Sequence, residues 1–267
     1  LVEANVKIND ITKVLSTNFF GTNNLLLKCI KDNSKFFFLS TSRVYSIQEI
    51  YKFINNKRKI SQKIIKKKKL KIDEKFSTST PLSFYGLSKK FSEELIKEYS
   101  HSHKIKYLIN RFGVISGPGQ LGVEDQGFVS LWMWRHLKKL GLKYKGYNGS
   151  GTQVRDVIHI DDVCNIINLQ IKKIRKINNI TFNIGGGPRN KINLKKLTKY
   201  CQKITNNKVK IKKVKKTSNY DVPYYVTDNK KFFKFFNYKI KKNINKILID
   251  IYLWQKKNLK SLNKIYE

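Results

Sequence analysis

Apolar positions change their period several times along the chain, and each change marks an element. Over 11–33, Val14, Leu15, Phe19, Leu25, Leu26 and Ile30 recur at helical spacing and predict one amphipathic helix. Lys35–Ser40 (KFFFLS) is instead a short, continuous apolar run, the pattern of a strand buried on both sheet faces. A second helix is predicted over about Ser88–His103 and a second strand over Tyr107–Asn110. Helix, strand, loop, helix, strand is what βα units of a parallel sheet produce. The lysine-laden stretch Ile47–Ser79 ends in a Ser/Thr cluster; it is too polar for core and reads as a surface excursion. Beyond Gly117, glycine-rich turns separate shorter segments, with helices expected over Gly127–Lys139, Asp161–Ile174, Asn193–Thr205 and Asn243–Ile265. An α/β architecture follows, with an incomplete parallel-sheet domain in residues 1–118, interleaved with a smaller, loop-rich α/β lobe mainly in 119–267.

Composition narrows the class. At 40% hydrophobic and 12% aromatic residues, a core can form and wholesale disorder is excluded. No apolar run approaches the ~20 residues that span a bilayer, so a membrane protein is not expected. The first residues (LVEANVKIND) are charged and lack the apolar segment of a secretory signal, so a cytoplasmic location is expected. Cys29, Cys164 and Cys201 stand far apart with no CxxC spacing, which argues against both a disulfide framework and a metal site. Lys+Arg 56 against Asp+Glu 18 gives +38, a balance that invites a nucleic-acid reading. The distribution opposes it. The runs Lys66–Lys69, Lys212–Lys216 and Lys241–Lys246 are dispersed, and none alternates with stacking aromatics. Lysine, isoleucine and asparagine share A/T-rich codons, which fill solvated faces without a selected partner. An anionic small-molecule substrate would still be electrostatically welcome.

Chemistry concentrates around Tyr85 and Lys89. Their i, i+4 spacing puts both on one helix face, where an ammonium beside a phenol lowers a pKa that starts near 10. Tyr-x-x-x-Lys also occurs at Tyr238–Lys242 and Tyr252–Lys256, so the spacing alone selects nothing. Only Tyr85 has the remainder of a site: Ser40-Thr41-Ser42 directly follows the buried strand, and carboxyl ends of strands are where ligands bind in parallel sheets. The plainer reading of the same hydroxyls is that they cap the next turn.

Together these phrases resemble the extended short-chain dehydrogenase/reductase family, the nucleotide-sugar epimerases and dehydratases. The resemblance rests on Asn18-Phe-Phe-Gly21-Thr22, Ser40-Thr41-Ser42-Arg43-Val44-Tyr45, Tyr85-Gly-Leu-Ser-Lys89, Asn110-Arg111…Ser116-Gly117-Pro118 and Arg155-Asp156-Val-Ile-His159, in family order. The stretches from Gly119 to Gly127, Gly151 to His159 and Asn183 to Gly187 look like the CDP-paratose 2-epimerase branch, as does the long separation of Thr41 from Tyr85. Thr41 is followed by Ser42 and Arg43 rather than by acids, so elimination of water is not expected.

The resemblance implies a Rossmann-like doubly wound sheet, NAD as cofactor, a nucleotide-sugar substrate and a homodimer. It implies that Tyr85 takes a sugar hydroxyl proton and that Lys89 keeps Tyr85 ionised and binds the nicotinamide ribose. Thr41 would hold the same sugar oxygen, Asn18 would approach the cofactor, and Arg155, Gln126 and Gln153 would contact the nucleotide sugar. The plain alternative for Arg155 is an ion pair with Asp156 or Asp161.

Two departures stand out. No Gly-x-x-Gly-x-x-Gly turn precedes Asn18, so a truncated sheet with an open edge and no pyrophosphate cradle is expected. Relatives also place an arginine where Ser218 stands, three residues before Asp221, leaving Lys215 or Lys216 as substitutes. A non-catalytic remnant that binds sugar nucleotide or only pairs with partners is therefore the alternative. A UDP-sugar 4-epimerase and a basic nucleic-acid binder are further readings.

Overall fold

A computed structural model describes residues 8–59, 70–124 and 126–266. The lysine run Lys66–Lys69 lies outside them. The fold is built on a parallel sheet of β1 (Phe36–Thr41), β2 (Tyr107–Phe112) and β6 (Ile180–Ile184), in the order β1-β2-β6. Alternate residues face opposite sides, as strand geometry requires. Phe36, Phe38 and Ile109 meet Leu26 of α2 (Gly21–Lys31) and Ile96 of α4 (Phe84–His103). Leu108, Phe112 and Phe182 meet Ile166 of α6 (Ile160–Lys172) and Phe232 and Phe236 of α8 (Lys230–Phe236). Helices on both faces of parallel strands make the Rossmann-like α/β fold. Among the described residues β1 has β2 on one side and no strand on the other, and its Leu39 is 50% exposed.

The second core lies beyond β3 (Val114–Ser116). Here α5 (Phe128–Leu137), α7 (Leu194–Thr205) and α9 (Ile244–Lys257) close over Val129, Met133, Leu197, Cys201, Ile247 and Ile251. Strand β5 (Val154–His159) pairs parallel with β3 and antiparallel with β7 (Lys191–Asn193). A separate parallel pair joins β4 (Leu142–Lys145) to β8 (Ile211–Val214).

Four boundaries depart from the hydrophobic pattern. The helix expected over 11–33 is α1 (Ile11–Leu15), a π-helical turn at Ser16–Phe20, and α2. The helix expected from Ser88 starts one turn earlier, because Ser83 caps it by accepting the Gly86 N–H at 3.1 Å. The polar excursion Ile47–Ser79 begins as helix α3 (Ile47–Lys59), whose Ile50 and Ile54 pack with Tyr45 and Ile72. A helix can bury a narrow stripe while most of its residues are polar, which overall polarity conceals. The predicted C-terminal helix is α9 followed by α10 (Leu259–Tyr266). Among the described residues no helix is long and apolar enough to cross a membrane.

Candidate active site

Thr41 ends β1, at the carboxyl edge of the sheet. Its hydroxyl accepts the Arg43 backbone N–H at 3.2 Å, turning the chain into a short 3-10 turn over Ser42–Val44. The plain capping role is therefore filled. The same hydroxyl lies close enough to Tyr85, across the gap to α4, to favour its phenolate. Gly86 permits this approach: a Cβ there would collide with the Arg43 carbonyl, so the first turn of α4 lies directly on the turn that follows β1. Sequence neighbours of Tyr85 and Thr41 thus set the distance between them.

Both residues line a cavity of about 850 Å³, which also receives Gln126, Gln153 and Arg155. Gln126 is exposed at the rim; Gln153 donates to the Lys145 carbonyl at 2.7 Å. Arg155 pairs with neither Asp156 nor Asp161. Its Nη2 meets Asp221 Oδ1 at 2.6 Å and the Val222 carbonyl at 2.8 Å, while Nη1 donates to the Val154 carbonyl at 2.8 Å. Asp156 is buried beneath, accepting the Gly187 N–H at 2.7 Å, and Asp161 takes Lys242 at 2.7 Å. Lys216 lines the cavity, as do Ser218 and Arg135; Lys215 is not among the lining residues. Lys143 and Lys145 at the rim share Glu124, at 3.0 and 2.9 Å, and hold its carboxyl down at about 2. The wall is cationic overall and suited to a phosphorylated ligand.

Burial raises the Tyr85 phenol above its ordinary value, against the Thr41 hydroxyl and the positive Arg43 nearby. Lys89 lies one turn along α4, outside the cavity lining. Its Nζ stands 3.9 Å from the centroid of the Phe38 ring, and burial lowers its pKa to about 8 against the pull of Glu93. Arg43 is a cation whose charge favours the ionised phenol here. Asn18 lies in the π-helical turn with its Nδ2 donating to Ser88 Oγ at 3.0 Å, against α4 and away from the cavity. Lys89 and Asn18 thus lie at α4 and are not among the residues that line the cavity.

Sequence reasoning gave Arg43 no binding role and used Asp221 only as a landmark. Arg43 carried one usable signal, its position two residues after Thr41. Asp221 carried none, because its partner Arg155 is far away in the chain.

A sequence profile, "NAD dependent epimerase/dehydratase family", matches residues 3–185. The chain is 30% identical over 199 residues to a CDP-paratose 2-epimerase of Salmonella typhi, covering 69% of this chain and 56% of that protein. It spans about half the length of such curated relatives. Among solved structures, a UDP-glucose 4-epimerase of Thermotoga maritima with UDP-glucose superposes with a TM-score of 0.78 at 22% identity, over 96% of this chain and 75% of that one. A UDP-glucuronic acid 4-epimerase of Bacillus cereus, in complex with UDP-glucuronic acid and NAD, gives 0.78 at 23% identity, over 96% and 72%. With the profile extending from before α1 to the Gly185 turn, across β1, α4, β2, β5 and β6, the chain belongs to the NAD dependent epimerase/dehydratase family.

Proposed function

We propose that this chain serves an NAD-dependent nucleotide-sugar epimerase, with the sugar bound between Thr41, Tyr85 and Arg155. The observation that carries this reading is the shared cavity, whose wall holds the Thr41 hydroxyl and the Tyr85 phenol together with the Arg155 guanidinium and further cations. That arrangement offers a proton acceptor for a sugar alcohol beside a site for its diphosphate. NAD supplies hydride acceptance and return. Tyr85 takes and later returns the hydroxyl proton, Thr41 holds the same oxygen, and Arg155 fixes the phosphates. Lys89 suits a cofactor ribose: it is a half-buried ammonium that lies over the Phe38 ring face. Its carboxylate neighbour Glu93 is already engaged twofold by Arg111. Asn18, one turn away against Ser88, is assigned to the same end. Among the described residues the glycines at Gly185–Gly187 do not make a pyrophosphate cradle. Gly187 N–H is bound by Asp156, and Cβ atoms at Gly185 and Gly186 would strike Thr227 and Val157. The residues at hand fit the ribose end of the cofactor and leave its pyrophosphate end unassigned.

Within this class the finer reading is a CDP-sugar 2-epimerase. It is supported by the phrases from Gly119 to Gly187 and by the Salmonella typhi relative. The test is a panel of CDP- and UDP-sugars incubated with the protein and NAD in deuterium-tracked form. Inversion at C2 of a CDP-sugar supports the finer reading; inversion at C4 of a UDP-sugar replaces it; no binding of any member removes the proposal.

Arg155→Ala is expected to weaken nucleotide-sugar binding by roughly tenfold or more, the worth of a charge-assisted hydrogen bond, with a smaller effect on turnover. Titration calorimetry checks this, and an unchanged dissociation constant contradicts it. Pairing of two copies through α2 and α4 is also proposed. Leu25 on α2 is 58% exposed and Phe91 on α4 is 46% exposed, a large apolar share for helices facing water. Light scattering should give twice 31.4 kDa, and Phe91→Glu should give one copy; a wild-type monomer ends this proposal.

A further inference from the structure

Two guanidiniums grip three consecutive residues of the segment that closes the cavity. Arg43 Nη1 donates to the Tyr220 carbonyl at 2.9 Å; Arg155 holds the Asp221 carboxylate and the Val222 carbonyl. Two residues of extended chain span at most ~7 Å, so the cations reach the same short stretch, with a single carboxylate between them. Their satisfaction differs. Arg155 uses both Nη atoms within the protein and has Asp221 as counter-ion. The Arg43 side chain has one hydrogen bond, to a neutral carbonyl, from five available donors. Among the described residues no carboxylate pairs with it, although it is half-buried in the cavity wall beside Tyr85. Its burial and the neighbouring Arg155 push its pKa down to about 10, which still leaves it charged near neutrality. A cation so placed, with donors to spare and only the carboxylate already bound by Arg155 nearby, has room for an anionic partner.

We infer that Arg43 is a substrate-anchoring residue whose guanidinium receives an oxyanion of the bound sugar nucleotide, next to the hydroxyl that Tyr85 deprotonates. This rests on the nucleotide-sugar reading above and adds a second guanidinium on the side of the reacting sugar. The oxyanion comes either from the diphosphate or from a carboxylate carried by the sugar, and both present the planar or tetrahedral oxygens that a guanidinium fork binds.

The test is titration of the 267-residue chain with UDP, UDP-glucose and UDP-glucuronate, and with CDP and CDP-glucose in parallel. Wild type is compared with Arg43→Met and Arg43→Gln, each with its thermal melt recorded; the Gln variant keeps a donor for the Tyr220 carbonyl if the Met variant fails to fold. Loss of roughly tenfold or more for every ligand assigns the diphosphate; loss confined to UDP-glucuronate assigns the sugar carboxylate. Arg43→Lys should recover only part of the affinity, since an ammonium keeps the charge without the fork. Folded variants that bind all ligands within about twofold of wild type overturn the role of Arg43 while leaving the nucleotide-sugar reading intact. Wild type that binds none of the ligands overturns that reading and this inference with it.

Discussion

Replacing Tyr85 with phenylalanine should lower epimerase turnover by about 10³-fold while changing sugar-nucleotide affinity by less than about twofold. The magnitude is that of removing a positioned general base, which typically contributes 10²–10⁴-fold. The affinity forecast follows from the architecture. In the proposed complex the phosphates would meet Arg155 and the cationic rim, whereas the phenol would meet only the sugar hydroxyl. Loss of the hydroxyl deletes no packing, because the ring stays in the first turn of α4 and Gly86 still lies on the Arg43 backbone. Steady-state assays with NAD and calorimetric titration separate the two quantities. Turnover at the wild-type rate would remove Tyr85 from its role; lost affinity with unchanged turnover would make it a binding group only.

Two of the three strands of the parallel sheet, β1 and β2, were legible because each carries a local signal, whereas β6 (Ile180–Ile184) was not among the expected strands. KFFFLS and YLIN are continuous apolar runs, and burial on both faces leaves no polar alternation to confuse with a surface strand. Thr41 and Tyr85 stand out through position: Thr41 ends a buried strand, and Tyr85 lies in the first turn of a helix, between its serine cap and a glycine. The cavity itself was not. Gln153 and Arg155 on one segment meet Asp221 and Val222 from another through long-range contacts, and nothing in either local pattern names its partner. The helix inside the lysine-rich stretch after Tyr45 was hidden differently. Its buried stripe is narrow, so overall polarity outweighed the few isoleucines that decide where the segment packs. The π-helical turn at Asn18 has no sequence signature at all. The periodicity of 11–33 runs through it almost undisturbed, while the backbone gains a residue and rotates Asn18 toward Ser88.

The same argument applies with most force to Glu93, which reads as one more charge on a solvated helix face and is in fact fully buried. Its carboxylate receives Arg111 Nε at 3.0 Å and Nη2 at 2.6 Å, together with the Ser40 hydroxyl at 2.6 Å. Arg111 continues through the Tyr45 hydroxyl, at 3.2 Å, to Asn183 Oδ1, at 2.6 Å. One chain of polar contacts therefore ties α4 to β1, β2 and β6 immediately beneath the Thr41–Tyr85 pair. Removing one partner of a buried ion pair costs about 3–5 kcal/mol, because the other charge stays in the interior without compensation. Glu93→Ala should lose about that much in urea unfolding, a drop on the order of 10 °C in Tm for a domain of this size. The pair itself is a different matter, since well-packed apolar residues of similar volume often replace buried ion pairs at little cost. Glu93→Leu combined with Arg111→Met should thus be more stable than either single variant. If Glu93→Ala melts within about 2 °C of wild type, the network contributes little, and the register of α4 on the sheet must come from Leu26, Ile96 and Ile109 alone.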